Sequence, residues 1–313
     1  MGLGSDVIDL VGRLKREGYL DSKLSVAEIG AQQLASSFLN SRESLRELGG
    51  LFGVGTSCPL PEPQTPHVAN GELSPPSADH LAADAPAARV FWLWLGFDYA
   101  ALDLDDMPGV TRLDLNYEDA PPEMVGQFQL VTNFGTTEHI ANQLNAFNVI
   151  HDLVAPGGLM IHELPMQGML NHGLINYNPK FFWMLARSNM YRTIYMDVRA
   201  NKSRYALPEN ILDATMPFDT GAAARLGDYQ VADAALIAIL QKVVDTPYVA
   251  PIDVPTSVKT SDEALIERYP SVFDADRFRG VAGVDGVLAS ISGWRLQREV
   301  LARYRRRVAK WLS

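Results

Sequence analysis

Phe128-Gln-Leu-Val-Thr-Asn133, Gly135-Thr-Thr-Glu138-His139, an apolar-spaced segment to His151, and Ala155-Pro156-Gly157-Gly158-Leu-Met-Ile-His162-Glu163-Leu-Pro165 run consecutively through the middle of the chain. A buried strand that exits into small and polar residues, a crossover helix, a Pro-Gly-Gly stop and a second buried strand make one βαβ unit. Carboxyl and imidazole groups stand at both strand exits, where an open α/β sheet binds its ligands.

Upstream, Ser5 is placed to cap a helix with Val7, Ile8, Val11 and Leu14 on one face and its end at Gly18. A first strand is expected over 24–29, then a helix from about Ala31 to Leu48 stopped by Gly49-Gly50. A short helix through Phe91, Trp92 and Leu95 feeds a second strand over 99–102 that ends at Asp103, and a third spans 110–113. Beyond the βαβ unit, Asn178-Pro179 opens a helix ending near Asn189, and residues 191–198 and 234–243 supply two more strands.

A nucleoside-bearing cofactor at such a sheet edge needs a glycine turn after the first strand, for close backbone approach, and an acid after the second for ribose hydroxyls. Glu28 and Gly30 meet the first need and Asp103 the second.

Val26-Ala-Glu28-Ile-Gly30-Ala31, taken with Thr137-Glu138-His139 and Pro156-Gly157-Gly158, resembles the class I S-adenosylmethionine-dependent methyltransferases over roughly residues 20–250. The resemblance implies an α/β Rossmann-like methyltransferase fold, a doubly wound, mostly parallel seven-stranded sheet whose last strand is antiparallel. It also implies S-adenosyl-L-methionine as cofactor, S-adenosyl-L-homocysteine as product, and an O or N nucleophile on a small molecule of specialised metabolism as acceptor. Glu28, Gly30, Ala31, Gln32 and Asp103 would then hold the cofactor, with Asp114 and Leu115 at the adenine and Asn133, Gly135 and Thr136 along the methionine part. The turn departs from the family's two or three glycines, since Ala31, Gln32 and Gln33 follow Gly30. His139, His162 and His172 are the candidate bases, because imidazole suits removal of an acceptor proton near neutral pH. Glu138, Asn171 and Tyr177 are the candidate acceptor contacts. Although imidazole and carboxylate suit several metals, no HxxxH-type spacing specifies a metal site.

The expected organisation is an N-terminal helix over 1–19, a methyltransferase domain over 20–250 with a Pro-rich insertion at 56–86, and an appendage over 251–313 ending in a basic helix. The insertion reads as a mobile segment or a lid over the cofactor. The chain's net charge of −10 argues against nucleic acid or an anionic membrane as main partner, although a tail of +6 begins at Trp294. A single cysteine, Cys58, and the lack of a signal-peptide or membrane-spanning run point to a cytoplasmic protein. Homo-oligomerisation is compatible with the sequence. Two further readings stay open: a non-catalytic nucleotide-binding protein on the same fold, and a nicotinamide-dependent oxidoreductase.

Overall fold

The computed structural model describes residues 2–21, 24–55, 59–60, 85–105, 109–169, 172–200, 203–206, 234–255, 258–280 and 287. Cys58, His67, His80, Asn171, nearly all of the Pro-rich insertion and the basic tail lie outside the described residues. The strand order is β3-β2-β1-β4-β5-β8-β6-β7, within two compact units that divide along β5.

The first unit comprises residues up to Ala155 together with Met160–Leu164. It opens with α1 (Ser5–Arg16), followed by β1 (Ser25–Ile29), α2 (Ser36–Asn40) and α3 (Arg42–Phe52). Val7, Ile8, Val11 and Leu14 are buried as their spacing predicts, and α1 packs on α2 and α3. The N-cap of α1 is Gly4, one residue before the expected Ser5. The single helix expected over 31–48 is two, broken at Ser41. Gly49-Gly50 lies inside α3, whose stop is the left-handed Gly53 at φ 71°.

Continuing along the chain, α4 (Arg89–Trp94) leads to β2 (Asp98–Asp103), β3 (Thr111–Arg112), β4 (Phe128–Phe134), α5 (Gln143–Leu153) and β5 (Val154–Gln167). Parallel pairing of β1 with both β2 and β4, and of β2 with β3, sends four strand ends to one edge. Every residue of β1 is buried, the mark of a central parallel strand. Phe38, Phe91, Trp92 and Phe97 interlock beside it, with Phe38 and Phe91 edge-to-face at 4.9 Å and Trp92 and Phe97 at 5.2 Å.

The second unit contains Pro156–Leu159 and everything from Pro165 onward. Its described elements are α6 (Pro179–Asn189), β6 (Arg192–Ala200), β7 (Ser203–Ala206), β8 (Ala234–Gln241), α7 (Glu263–Arg268) and α8 (Pro270–Phe273). As the sequence predicts, Asn178 caps α6 by accepting from the Lys180 N–H at 2.9 Å. The last strand is antiparallel to β6, as the fold class requires. An eighth strand, β7, forms an antiparallel hairpin with β6 that the sequence reading did not expect.

Pro156-Gly157-Gly158 does not act as a stop. It lies within β5, because the Gly157 N–H donates to Lys242 O at 2.6 Å and the Lys242 N–H returns to Gly158 O at 3.0 Å. Among the described residues no helix is long and apolar enough to cross a membrane.

Candidate functional site

The ends of β1, β2 and β4 enclose a cleft of about 340 Å³. That lies within the range of small-ligand sites, about 300–1,000 Å³. Its apolar wall is Leu102, Leu104, Leu113, Leu115 and Ile140, and its polar groups include Gln32, Asp103, Thr136 and His139.

Gly30 makes the turn out of β1 in the left-handed region, at φ 79°, with its N–H donating to Leu102 O at 2.7 Å. A Cβ there would stand 2.3 Å from Thr136 Oγ1, and Thr136 is held in place by donating to Ile29 O at 2.6 Å. A neighbouring side chain, as well as the dihedral, therefore demands glycine here. Gly30→Ala is expected to cost about 2–4 kcal/mol in urea denaturation, from left-handed strain plus overpacking. Thr136→Ala should recover part of that loss; an equal cost of Gly30→Ala in both backgrounds would rule out the clash.

The next two residues tie the turn to its neighbours. The Ala31 N–H donates to Asp103 Oδ2 at 2.8 Å, and the Asp105 N–H approaches Oδ1 at 3.3 Å. Asp103 is half-buried at the cleft. Gln32, almost fully buried, donates from Nε2 to Gly30 O at 3.2 Å and to Thr136 Oγ1 at 3.3 Å.

Glu28 lies beneath the turn rather than in the cleft wall. Its carboxyl is fully buried and accepts from Trp92 Nε1 at 2.7 Å, Tyr99 Oη at 2.7 Å and the Gln32 N–H at 3.2 Å. Burial pushes the carboxyl up to about 7 against the opposing pull of those three donors. Burial and the adjacent Glu28 also push the Tyr99 phenol up, so Tyr99 remains a donor.

A second set of bonds fastens the apolar wall. Asn116 Oδ1 accepts from the Ala141 and Asn142 N–H groups at 3.1 and 3.0 Å, while Asn142 Nδ2 donates to Asn116 O at 2.8 Å. Asn145 Nδ2 reaches Leu115 O at 3.0 Å and Glu118 O at 2.7 Å. The loop carrying Leu115 is thereby latched to the start of α5. Asp114 closes an Asx turn within that loop, accepting from the Asn116 N–H at 2.9 Å.

Of the residues the sequence nominated for the cofactor, Gly30, Ala31, Gln32, Asp103, Leu115, Gly135 and Thr136 line the cleft. Asn133 instead sits buried under the β4 exit, where Nδ2 donates to Thr137 Oγ1 at 2.9 Å and lies 3.2 Å from His162 Nδ1.

The three histidines differ in burial. His139 is on the cleft, with its side chain 47% exposed and Nε2 3.8 Å from Oε1 of the fully buried Glu138. His162 is core, against the Phe147 ring at 5.5 Å, and burial pushes its imidazole down to about 3. It is neutral at physiological pH and occupies a packing position. His172, in the second unit, is exposed, and its N–H meets Met169 O at 3.4 Å. Tyr177, nominated for the acceptor, is buried in that unit between Phe181 at 5.7 Å and Phe182 at 5.8 Å, its N–H bound to Pro165 O.

Sequence reasoning missed the Trp92 and Tyr99 clamp on Glu28, the side-chain role of Gln32 and the asparagine latch. The density of asparagines at 116, 142 and 145 is a readable signal, since Asn favours caps and turns.

A family model described as a methyltransferase domain matches residues 45–211, more than half of the chain. By sequence, no curated protein matches. Among solved structures, the chain is similar to a Burkholderia thailandensis 1,6-didemethyltoxoflavin-N1-methyltransferase with bound 1,6-didemethyltoxoflavin and S-adenosylhomocysteine. The TM-score is 0.39 at 10% identity, over 77% of this chain and 80% of that one. It is also similar to a SAM-dependent methyltransferase from Archaeoglobus fulgidus, at TM-score 0.36 and 11% identity over 75% and 94% of the two chains. Similarity to the [4+2]-cyclase SpnF has TM-score 0.39 and 10% identity over 77% and 81%.

Proposed function

The chain belongs to the methyltransferase-domain family, and from that premise we propose that its cleft binds S-adenosylmethionine and transfers the methyl group to a hydroxyl or amine of a small molecule. The observation that carries this reading is a single cleft at three strand ends holding both a carboxylate, Asp103, and an imidazole, His139.

The residues present suit that cofactor. Asp103 keeps lone pairs for ribose hydroxyls, since each carboxylate oxygen accepts one backbone N–H and can accept another donor. Leu104, Leu113, Leu115 and Ile140 offer an aliphatic surface to a purine.

When bound, S-adenosylmethionine supplies an electrophilic methyl group on a sulfonium. Because the methyl is already activated, the chain's task is alignment, water exclusion and proton removal, and orientation is worth up to about 7–11 kcal/mol in favourable cases. The Leu115 loop, latched by asparagines, and the turn locked over Thr136 supply rigid walls. His139 takes the acceptor's proton, with Glu138 Oε1 3.8 Å from its Nε2.

Calorimetric titration tests the reading. S-adenosylhomocysteine is expected to bind in the micromolar range, about −7 to −8 kcal/mol. Asp103→Ala should weaken it by about 1–3 kcal/mol, the cost of losing a charge-assisted hydrogen bond. An unchanged affinity in that variant would move the ribose site elsewhere, and tighter binding of NAD would favour an oxidoreductase.

A further inference from the structure

His139 is carried out of β4 by a single 3-10 turn, Thr137–His139. Within that turn the His139 N–H meets Thr136 O at 3.0 Å and the Ile140 N–H meets Thr137 O at 3.1 Å. Such bonds have poorer geometry than those of an α-helix, and a helix this short has no next turn to engage its last carbonyls. Side chains from either side make up the difference. From β4, Asn133 Oδ1 accepts the Thr137 N–H at 3.2 Å while its Nδ2 donates to Thr137 Oγ1 at 2.9 Å. From α5, Gln143 Nε2 donates to Thr137 O at 2.7 Å and to Ile140 O at 2.5 Å. Both of those partners are carbonyls that can only accept, which settles the orientation of the Gln143 amide. One half-buried side chain thus spans the turn, from its first carbonyl to the carbonyl just past His139.

Gln143 is also the first residue of α5, and the start of that helix holds the Leu115 side of the cleft. Asn142, the N-cap, accepts the Asn145 N–H at 3.2 Å and is bonded to Asn116, while Asn145 holds Leu115 O and Glu118 O. The turn that bears the imidazole and the loop that bears the apolar wall are therefore fastened to the same few residues of α5. With its side chain 47% exposed, His139 depends on its backbone for its place in the cleft. Loss of the Gln143 amide would free the turn from α5 and leave the asparagine latch on the wall intact.

We propose that Gln143 is a positioning residue for methyl transfer, whose amide holds the turn carrying His139 in register with the wall of the cofactor cleft. The inference rests on the reading of His139 as the base. Proton removal needs heavy atoms within about 2.6–3.2 Å of each other, and a misplacement of about 1 Å can cost about 100-fold.

The test compares Gln143→Met, which keeps the reach of the side chain and loses both donated bonds, with Gln143→Lys, which restores a donor. Gln143→Met is expected to lower kcat about 10- to 100-fold with S-adenosylhomocysteine affinity within about threefold, and Gln143→Lys to recover most of that loss. In a His139→Ala background the same Gln143→Met change should cost less than about threefold, because a residue that acts through the imidazole then has nothing to act on. The full loss in that background, wild-type kcat in Gln143→Met, or a fall in S-adenosylhomocysteine affinity equal to the fall in kcat overturns the proposal and leaves His139 as the base. Wild-type turnover in His139→Ala overturns both. The ring C–H NMR signal of His139, assigned by its absence from His139→Ala, gives a readout that needs no acceptor. It should move in Gln143→Met and return toward its wild-type position in Gln143→Lys; an unmoved signal in Gln143→Met overturns the positioning role. If Gln143→Met does not fold, Gln143→Ala takes its place under the same criteria.

Discussion

His139→Ala is expected to lower methyl transfer by about 10²–10⁴-fold, the range for losing a general base, while S-adenosylhomocysteine affinity stays within about threefold. The expectation rests on position. His139 is the imidazole that lines the cleft, and it stands 3.8 Å from a carboxylate that is itself buried. Turnover is read as release of S-adenosylhomocysteine in the presence of an acceptor found by screening small hydroxyl and amine compounds. For an acceptor that ionises in solution, the defect should shrink as pH rises, since the proton then needs no protein base. Glu138→Gln should cause a smaller loss, because it alters the group beside the imidazole and leaves the imidazole itself. Wild-type turnover in His139→Ala would leave the enzyme working by positioning alone. His162→Phe should barely change turnover in protein that remains folded, since that ring packs on Phe147 and not on the cleft.

The second large effect is on stability and comes from two buried groups that pull in opposite directions with pH. Glu28, raised from 4.5 to about 7, holds its proton more tightly in the folded chain than in the unfolded one. Its contribution to stability is therefore complete below pH 4.5 and is lost as the pH rises to about 7. His162, lowered from 6.5 to about 3, gives its proton up on folding, so its contribution is complete above pH 6.5 and is lost as the pH falls to about 3. The groups facing Glu28 are Tyr99, Trp92 and Gln32, with Arg89 and Asp103 acting on Tyr99; Asn133 and Phe147 face His162.

Between pH 4.5 and 6.5 the two slopes oppose each other, and the wild-type stability contributed by this pair should be nearly level. Glu28→Gln removes one arm, so that variant should gain stability with rising pH across the same window by up to about 3 kcal/mol, at 1.36 kcal/mol per pH unit. His162→Phe removes the other arm and should lose stability over pH 4.5 to 7. Urea denaturation at pH 4.5, 5.5 and 6.5 measures all three slopes. Parallel profiles for the wild type and both variants would show that neither group titrates as its burial implies. Glu28→Ala should be worse than Glu28→Gln at every pH, since it strands the Trp92, Tyr99 and Gln32 donors in the core.

Elements whose signal is local are legible in the chain before it folds. The apolar face of α1, the Asn178-Pro179 opening of α6, the alternation of strands with helices and the position of Asp103 at a strand end all depend on residues a few places apart, and each is where its spacing puts it. Glycine at position 30 was legible for the same reason, although the local pattern pointed to a ligand and the packing of Thr136, more than a hundred residues away, also demands it. Which polar groups share a cleft depends instead on packing between distant segments. His139 follows β4 in a turn and is exposed, whereas His162, expected at a strand exit, lies inside β5, which runs on to Gln167 and presses it against Phe147. Glu28 reads as a ligand acid until Trp92 and Tyr99, from α4 and β2, close over it. Pro156-Gly157-Gly158 reads as a break until Lys242 pairs with its backbone. In each case the deciding partner is distant in sequence, and burial and hydrogen-bond satisfaction are properties of the folded neighbourhood that no local pattern encodes.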